Sequence, residues 1–371
     1  MLTRDEKGEL EFTHVSISSE LPPQSKKYEK FKFMNRITCN FETFLSGAAK
    51  VGLRNLAYII VASLLSSATN NGMAQTKNES LPNVKSHISY RTLAIGEQQI
   101  FYREGGDKTN PALLFLHGFP SSSRMWQPLL EELSKDYYVL APDLIGFGHS
   151  SHPAIDKFNY TFDNLSIYIE EFIKAKSLQS FVLIHQDYGG PIGMRIAEKH
   201  PEKVKAIIVQ NAVCHEEGLS SLWDTRKAFW ANKSKYYEAV KKNFISLEAT
   251  KQRHLGSTPM PQLIDPDTYV DEYRFLNQPG MVDIQLNLFH DYQSNIKSYP
   301  KWQKWLQQHQ PKMQVIWGKY DLSFTVEGAF KYKEDVSSAE VHIVEGGHFA
   351  LDEQKIKILT LMQDFLSRTL E

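Results

Sequence analysis

The sequence predicts an α/β fold: a mostly parallel sheet with helices on both faces, interrupted by an inserted helical segment. Three observations lead there. From Ser86 onward, short apolar runs alternate with amphipathic stretches, the rhythm of strand–helix–strand units joined by right-handed crossovers. The runs ALLFLHG, YYVLAPD, SFVLIHQ and VKAIIVQNA are nearly continuous in apolar residues, as in strands covered on both faces. Between about Ala212 and about Pro300 the rhythm stops, and helix-like, polar-aromatic sequence punctuated by prolines takes over.

Taken in order, HISYRTLAI and QQIFYREGG read as two strands joined by a glycine-containing turn. ALLFLHG is a buried strand, and SSSRMWQPLLEELSK a helix with serines available to cap it. YYVLAPD is the next strand. YTFDNLSIYIEEFIKAK is a helix with Leu165, Ile169, Phe172 and Ile173 on one face. SFVLIHQ, YGGPIGMRIAEKH and VKAIIVQNA give strand, helix and strand. After the insertion come the strand KMQVIWG, a helix from about Val326, the strand AEVHIVEGG and a long C-terminal helix. Residues 86–211 and 300–371 therefore form the sheet domain, and 212–299 a helical cap. An insertion at the carboxyl end of the strands lands where open α/β sheets bind ligands.

The 371 residues carry 42 basic and 43 acidic side chains, a net charge of −1. Nothing in that balance suggests a general affinity for nucleic acid or an anionic membrane. Two cysteines, Cys39 and Cys214, are too few for a disulfide framework or a structural zinc site. Residues 1–85 read as a leader. Lys50 and Arg54 precede the apolar run Leu56 to Leu65, and the small polar stretch SSATNNGMAQ follows. Basic flank, apolar core and small-residue exit are the parts of a secretory signal, with cleavage after Ala74. The run is short for a membrane span, which needs ~20 apolar residues. Export, periplasmic or secreted, is the expectation; a membrane-anchored or a cytoplasmic protein is the alternative, and Met34 is an alternative start.

Four polar sites directly follow apolar strands: His117 to Pro120, Asp187, Asp321 and His348. Each is thereby placed at the carboxyl edge of the sheet. The order Asp187, Asp321, His348 is that of nucleophile, acid and histidine in one recurrent hydrolase arrangement. Asp187 lies in HQDYGG, where a tight strand-to-helix turn wants small residues; Gly189 fits, while His185 stands where glycine is common. A carboxylate thrust out at a helix N-terminus is favoured in its ionised form. It can displace a leaving group from sp³ carbon to give an ester. His348, between Gly347 and Phe349, is the candidate general base, and Asp321 the group that orients its imidazole. Glu216 and Asn211 occupy the alternative acid position. In HGFP, Gly118 allows close backbone approach beside His117, and the Phe119 N–H is a candidate oxyanion donor, with the Tyr188 N–H as the second. His149 and His152 belong to a glycine-rich loop, with no metal expected.

The stretches HGFPSSSRMW, APDLIGFGHSS, HQDYGGPIG, IWGKYD and GGHFALDE resemble the haloalkane dehalogenase and epoxide hydrolase branch of the α/β-hydrolases, over about residues 86–371. The resemblance implies a cofactor-free hydrolase acting on a small apolar organic substrate with water, with no obligate protein partner. Dehalogenases usually carry tryptophan after the nucleophile, where this chain has Tyr188. The resemblance makes Trp223 and Trp230 candidates for a second halide donor. It makes Tyr236, Tyr237, Tyr269 and Tyr273 candidates for protonating an epoxide oxygen. Dehalogenation is the leading expectation and epoxide opening the alternative. A different small apolar substrate, or a non-catalytic receptor, ranks below both.

Overall fold

A computed structural model describes residues 2–4, 10–12, 87–256 and 258–370. The chain divides into two compact units, Met1–Pro82 and Asn83–Glu371. In the first, β1 (Leu2–Arg4) and β2 (Leu10–Phe12) pair as an antiparallel ribbon. The apolar run 56–65 and the expected cleavage point at Ala74 lie outside the described residues. Among the described residues, no helix is long and apolar enough to cross a membrane.

The second unit is built on eight strands: β3 (Ser89–Ile95), β4 (Gln98–Gly105), β5 (Ala112–Leu116), β6 (Tyr138–Pro142), β7 (Phe181–Gln186), β8 (Val204–Gln210), β9 (Lys312–Gly318) and β10 (Glu340–Val344). Their spatial order is β10-β9-β8-β7-β5-β6-β4-β3. The β3–β4 and β4–β6 pairs are antiparallel; the strands from β6 to β10 pair in parallel. Period-two alternation divides the core. Leu113 and Phe115 of β5, with Val182 and Ile184 of β7, face α1 (Gln127–Leu133) and α11 (Ala350–Leu370). Leu114, Leu116, Phe181 and Leu183 join the cluster of α2 (Phe162–Ala175), α3 (Gly189–Lys199) and the insertion. On α2 the stripe Leu165, Ile169, Phe172 and Ile173 is buried, and Thr161 caps the helix by accepting from the Asn164 N–H.

The stretch read as one helix after β5 is two: a 3₁₀ turn at Ser123–Trp126, capped by Ser122, and then α1. Pro128 enters at the start of α1, where its missing N–H costs nothing. Between β8 and β9 run α4 (Trp223–Ala231), α5 (Lys233–Ile245), α6 (Leu247–Leu255), α7 (Pro266–Leu276), α8 (Met281–Asp291) and α9 (Gln293–His309). Pro300, expected to mark the end of the cap, lies inside α9, so the 299/300 boundary falls within a continuous helix. Burial of Tyr299, Trp302, Trp305 and Leu306 along one face holds the helix through the proline. After β9, α10 (Val326–Asp335) leads back to β10.

The sheet centre leaves no room at the start of α3. A methyl group on Gly189 would lie 2.3 Å from the Leu116 carbonyl oxygen of the neighbouring strand. Gly189→Ala is therefore expected to destabilise the protein by about 1–3 kcal/mol, as overpacking against backbone does. Denaturant unfolding of the variant beside the wild type checks this.

Candidate active site

The carboxyl ends of β5, β7, β8 and β9 converge on Asp187. Its backbone is left-handed, with φ 45°, the strained geometry of a residue held at the tip of a sharp turn. The surroundings impose that conformation. The Asp187 N–H donates to the Asn211 carbonyl at 3.2 Å, and the Gly190 N–H donates to the Asp187 carbonyl at 2.9 Å. His185, where a glycine was expected, is fully buried, and neither ring nitrogen has a hydrogen-bond partner. Burial alone pushes its pKa down to about 3, so the ring is neutral. The space it needs comes from the next helix: methyl groups on Gly190 and Gly193 would lie 3.4 Å and 3.2 Å from its ring.

The HGFP loop closes over the carboxylate. A methyl on Gly118 would fall 2.3 Å from the Asp187 Cβ, so only glycine permits the approach. The His117 Nδ1 lies 3.0 Å from the Gly118 carbonyl, and its Nε2 accepts the Leu144 N–H at 3.0 Å, which pins the loop. The Phe119–Pro120 peptide is cis. The Phe119 N–H donates to Asp187 Oδ1 at 2.7 Å. Burial pushes the Asp187 carboxyl above the ordinary aspartate value, against the pull of His348 and of the Phe119 and Tyr188 amides.

His348 and Asp321 complete the cluster. The His348 Nδ1 lies 2.8 Å from Asp321 Oδ2, and its Nε2 lies 3.8 Å from Asp187 Oδ2. Asp321 is itself held by the Ser323 and Phe324 amides at 2.7 and 3.1 Å and by Asn211 Nδ2 at 2.8 Å. With Nδ1 protonated towards Asp321, Nε2 is the acceptor nitrogen, and in this structure its lone pair accepts from Gln186 Nε2 at 3.0 Å; it takes a proton when that bond gives way to water. Of the alternative acids, Asn211 supports Asp321 rather than replacing it, and Glu216 begins an exposed 3₁₀ turn. Sequence reasoning missed Gln186 and the bridging role of Asn211; adjacency to Asp187 was the available signal for the first.

These groups open on a cavity of about 640 Å³. Phe119, Tyr188, Trp223, Phe244 and Phe289 supply its apolar wall, and Arg226 and Arg253 two cations; the exposed Lys242, Asn243 and Glu248 also line it. Trp223 reaches the cavity, but its indole N–H already donates to the Ser323 carbonyl at 3.0 Å. Trp230, Tyr269 and Tyr273 do not line it, contrary to expectation. Trp230 donates to the Phe289 carbonyl at 2.8 Å, Tyr269 lies beside His254, and Tyr273 packs on the core. Tyr236 and Tyr237 are also absent, the latter bonded to Asp283 at 2.6 Å. The His149 ring packs on Phe101 and Phe275. Away from the cavity, Cys214, His215 and Asp335 bring three metal-ligating atom types within 4.8 Å. The His215 Nε2 and Gln307 Nε2 already occupy the Asp335 oxygens, each at 2.7 Å.

A sheet of this order, with a turn residue, a histidine and an acid at its carboxyl edge, defines a hydrolase. The chain belongs to the family described as alpha/beta hydrolase fold, which matches residues 111–355. It is 37% identical over 265 residues to an uncharacterized hydrolase of Saccharomyces cerevisiae, covering 70% of this chain and 90% of that protein. It is 35% identical over 120 residues to a haloalkane dehalogenase of Bradyrhizobium diazoefficiens, a match spanning 32% of this chain and 38% of that enzyme. It is 22% identical over 306 residues to epoxide hydrolase 1 of Caenorhabditis elegans, covering 79% and 74%. Among solved structures, the haloalkane dehalogenase DbeA from Bradyrhizobium elkani superposes with a TM-score of 0.59 at 19% identity, over 76% of this chain and 98% of that one.

One buried ionic cluster ties the insertion to the sheet domain. His254 of α6 sits between Glu272 of α7 and Asp352 of α11, at 2.8 Å from each, and stacks on Phe349. Burial opposes its charge, but Glu272 and Asp352 outweigh that cost and raise its pKa to about 9. A pKa raised above the unfolded value adds stability that is complete below pH ~6.5 and lost as pH rises through about 9. His254→Gln is therefore expected to be less stable than the wild type by a few kcal/mol (order of magnitude) at neutral pH. The gap should close as pH passes about 9, read from unfolding midpoints of both proteins across pH 6–10.

Proposed function

We propose that this hydrolase uses Asp187 as a nucleophile and works through a covalent alkyl-enzyme ester, with carbon–halide hydrolysis as its activity. The observation that carries the reading is the left-handed Asp187, its carboxylate 2.7 Å from the Phe119 N–H and 3.8 Å from the His348 Nε2. One Asp187 oxygen attacks an sp³ carbon and the halide leaves with the bonding pair. His348, oriented by Asp321, then takes a proton from water, and the hydroxide attacks the ester carbonyl. The Phe119 and Tyr188 N–H groups hold the resulting oxyanion. The alcohol leaves and the carboxylate is restored.

Halide displacement leads on the resemblance of the motifs, since Tyr236, Tyr237, Tyr269, Tyr273 and Trp230 all lie off the cavity wall and the Trp223 N–H is already engaged. The alternative keeps one specific support. Tyr188 lines the cavity, and among the described residues its enclosed hydroxyl has no hydrogen-bond partner, so a turn of the ring towards the cavity would offer a donor to a leaving halide or to an epoxide oxygen. Halide release and diol formation from bromoalkanes and epoxides of equal chain length separate the two.

A single turnover in heavy-oxygen water is expected to leave the label in the Asp187 carboxylate; label passing only into product would show that water attacks the substrate directly. His348→Gln should still form the ester but hydrolyse it about 10²–10⁴-fold more slowly. Intact-mass and peptide analysis would then find the substrate's alkyl group on Asp187.

A further inference from the structure

The substrate expected from the sequence is apolar, yet the cavity wall carries two arginines. Arg226 of α4 is 6% exposed. Its Nη1 donates to Ser323 Oγ at 2.9 Å, while its Nε is sealed from solvent and has no hydrogen-bond partner among the described residues. Arg253 of α6 donates through Nη2 to the Phe244 carbonyl at 3.2 Å, and its Nη1 is likewise sealed and unpartnered. Among the described residues, no carboxylate lies within ion-pair distance of either guanidinium. Of the carboxylates that line the cavity, Asp187 already accepts from the Phe119 N–H and lies 3.8 Å from His348, Asp321 pairs with His348, and Glu248 is exposed.

Aromatic faces explain part of this placement. The Arg226 guanidinium lies 4.0 Å from the Trp223 ring centre and 5.2 Å from that of Phe289, and Arg253 lies 4.7 Å from that of Phe119. A π face attracts a cation but does not satisfy an N–H directed elsewhere. Burial lowers both pKa values; repulsion from Arg253 lowers that of Arg226 further, while Glu272 and Asp187 pull that of Arg253 back up. Both guanidiniums favour the ionised form of Asp187 electrostatically, and a neutral substrate would leave that as their one task in the cavity. An anion shared between them gains paired, charge-assisted hydrogen bonds in a water-poor site.

We propose that the substrate carries a carboxylate group, which Arg226 and Arg253 hold in the cavity beside the carbon that meets Asp187. For the fate of the bound molecule this rests on the nucleophile reading above. The substrate class is then a halogenated carboxylic acid. Asp187 displaces halide from its carbon, and water hydrolyses the ester. The products are the hydroxy acid, halide and one proton, with Asp187 regenerated. The two cations also offset the repulsion between the substrate carboxylate and the ionised Asp187.

Binding of unreactive acids tests the proposal apart from the chemistry. The probes are butanoate and phenylacetate against butanamide and phenylacetamide, titrated calorimetrically into the full-length protein at neutral pH. Each carboxylate is expected to bind at least tenfold tighter than its amide. Arg226→Gln and Arg253→Gln should each reduce that preference at least tenfold, with folding checked by unfolding midpoint. Equal affinity of acid and amide in the wild-type protein overturns the proposal without any variant. So does a preference that survives in both folded variants. The companion assay compares halide release from 2-bromobutanoate and 2-bromobutanamide, reading kcat and KM separately above the enzyme-free rate; a KM advantage for the acid supports the proposal, and a preference for the amide overturns it. Acid-selective binding without halide release from either compound would keep the anion site and reject the halide reading.

Discussion

The left-handed turn at Asp187 is the constraint on which the site depends. Such a conformation costs a non-glycine residue roughly 1–3 kcal/mol and persists only where its surroundings fix it. Here three neighbours fix it. Leu116 of β5 presses its carbonyl against Gly189, Gly118 lies against the Asp187 side chain, and the Asn211 carbonyl takes the Asp187 N–H. Asn211 is itself left-handed, at φ 40°. Its side chain accepts the Gly318 N–H at 2.9 Å and donates to Asp321 at 2.8 Å. One asparagine thus ties the ends of β7, β8 and β9 together and sets the distance between Asp187 and the carboxylate behind His348.

The electrostatics follow from that geometry. A carboxylate taken out of water tends to protonate, and the Asp187 pKa is pushed upward accordingly. Preorganised donors oppose this: the Phe119 and Tyr188 amides, fixed by the turn and the HGFP loop. In the proposed reaction the same amides that oppose protonation of Asp187 are positioned for charge on its carbonyl oxygen, which would avoid reorganisation at the moment of attack.

Much of this was legible in the sequence because strand ends are legible. An apolar run that stops at a polar residue places that residue at the sheet edge, and Asp187, Asp321, His348 and Phe119 all follow such runs. Asn211 follows one as well, but its sequence position does not reveal which backbone groups its two-sided amide will reach. The insertion was less readable. Four of its tyrosines were plausible on chemistry alone, and only packing decides that they point away from the cavity. Arg226 and Arg253 stand in charged, polar helices, where an arginine is ordinarily at the surface. Arg226 is buried and Arg253 half-buried, against aromatic residues distant in sequence, including Phe119 and Phe289. Pro300 misled for a related reason, since the burial that carries α9 through it is tertiary.

Arg253 and His254 are neighbours on α6, and their adjacency joins two features of the insertion. Consecutive positions on a helix project about 100° apart, so one residue can face the sheet domain while the next faces the cavity. His254 makes the first contact, with Asp352 of α11 and Glu272 of α7, and stacks on Phe349, which follows the candidate base directly in sequence. Arg253 makes the second, over the ring of Phe119, whose N–H holds Asp187. The buried ionic clasp therefore fixes the depth at which α6 sits. It holds a cation near a carboxylate that it does not pair with directly. An apolar anchor could hold the helix as firmly, and buried charges are a costly way to gain stability. What the charged clasp adds is direction. Two oxygens aligned on two ring nitrogens define the rotation of α6, and that rotation decides whether the next side chain lines the cavity or the solvent.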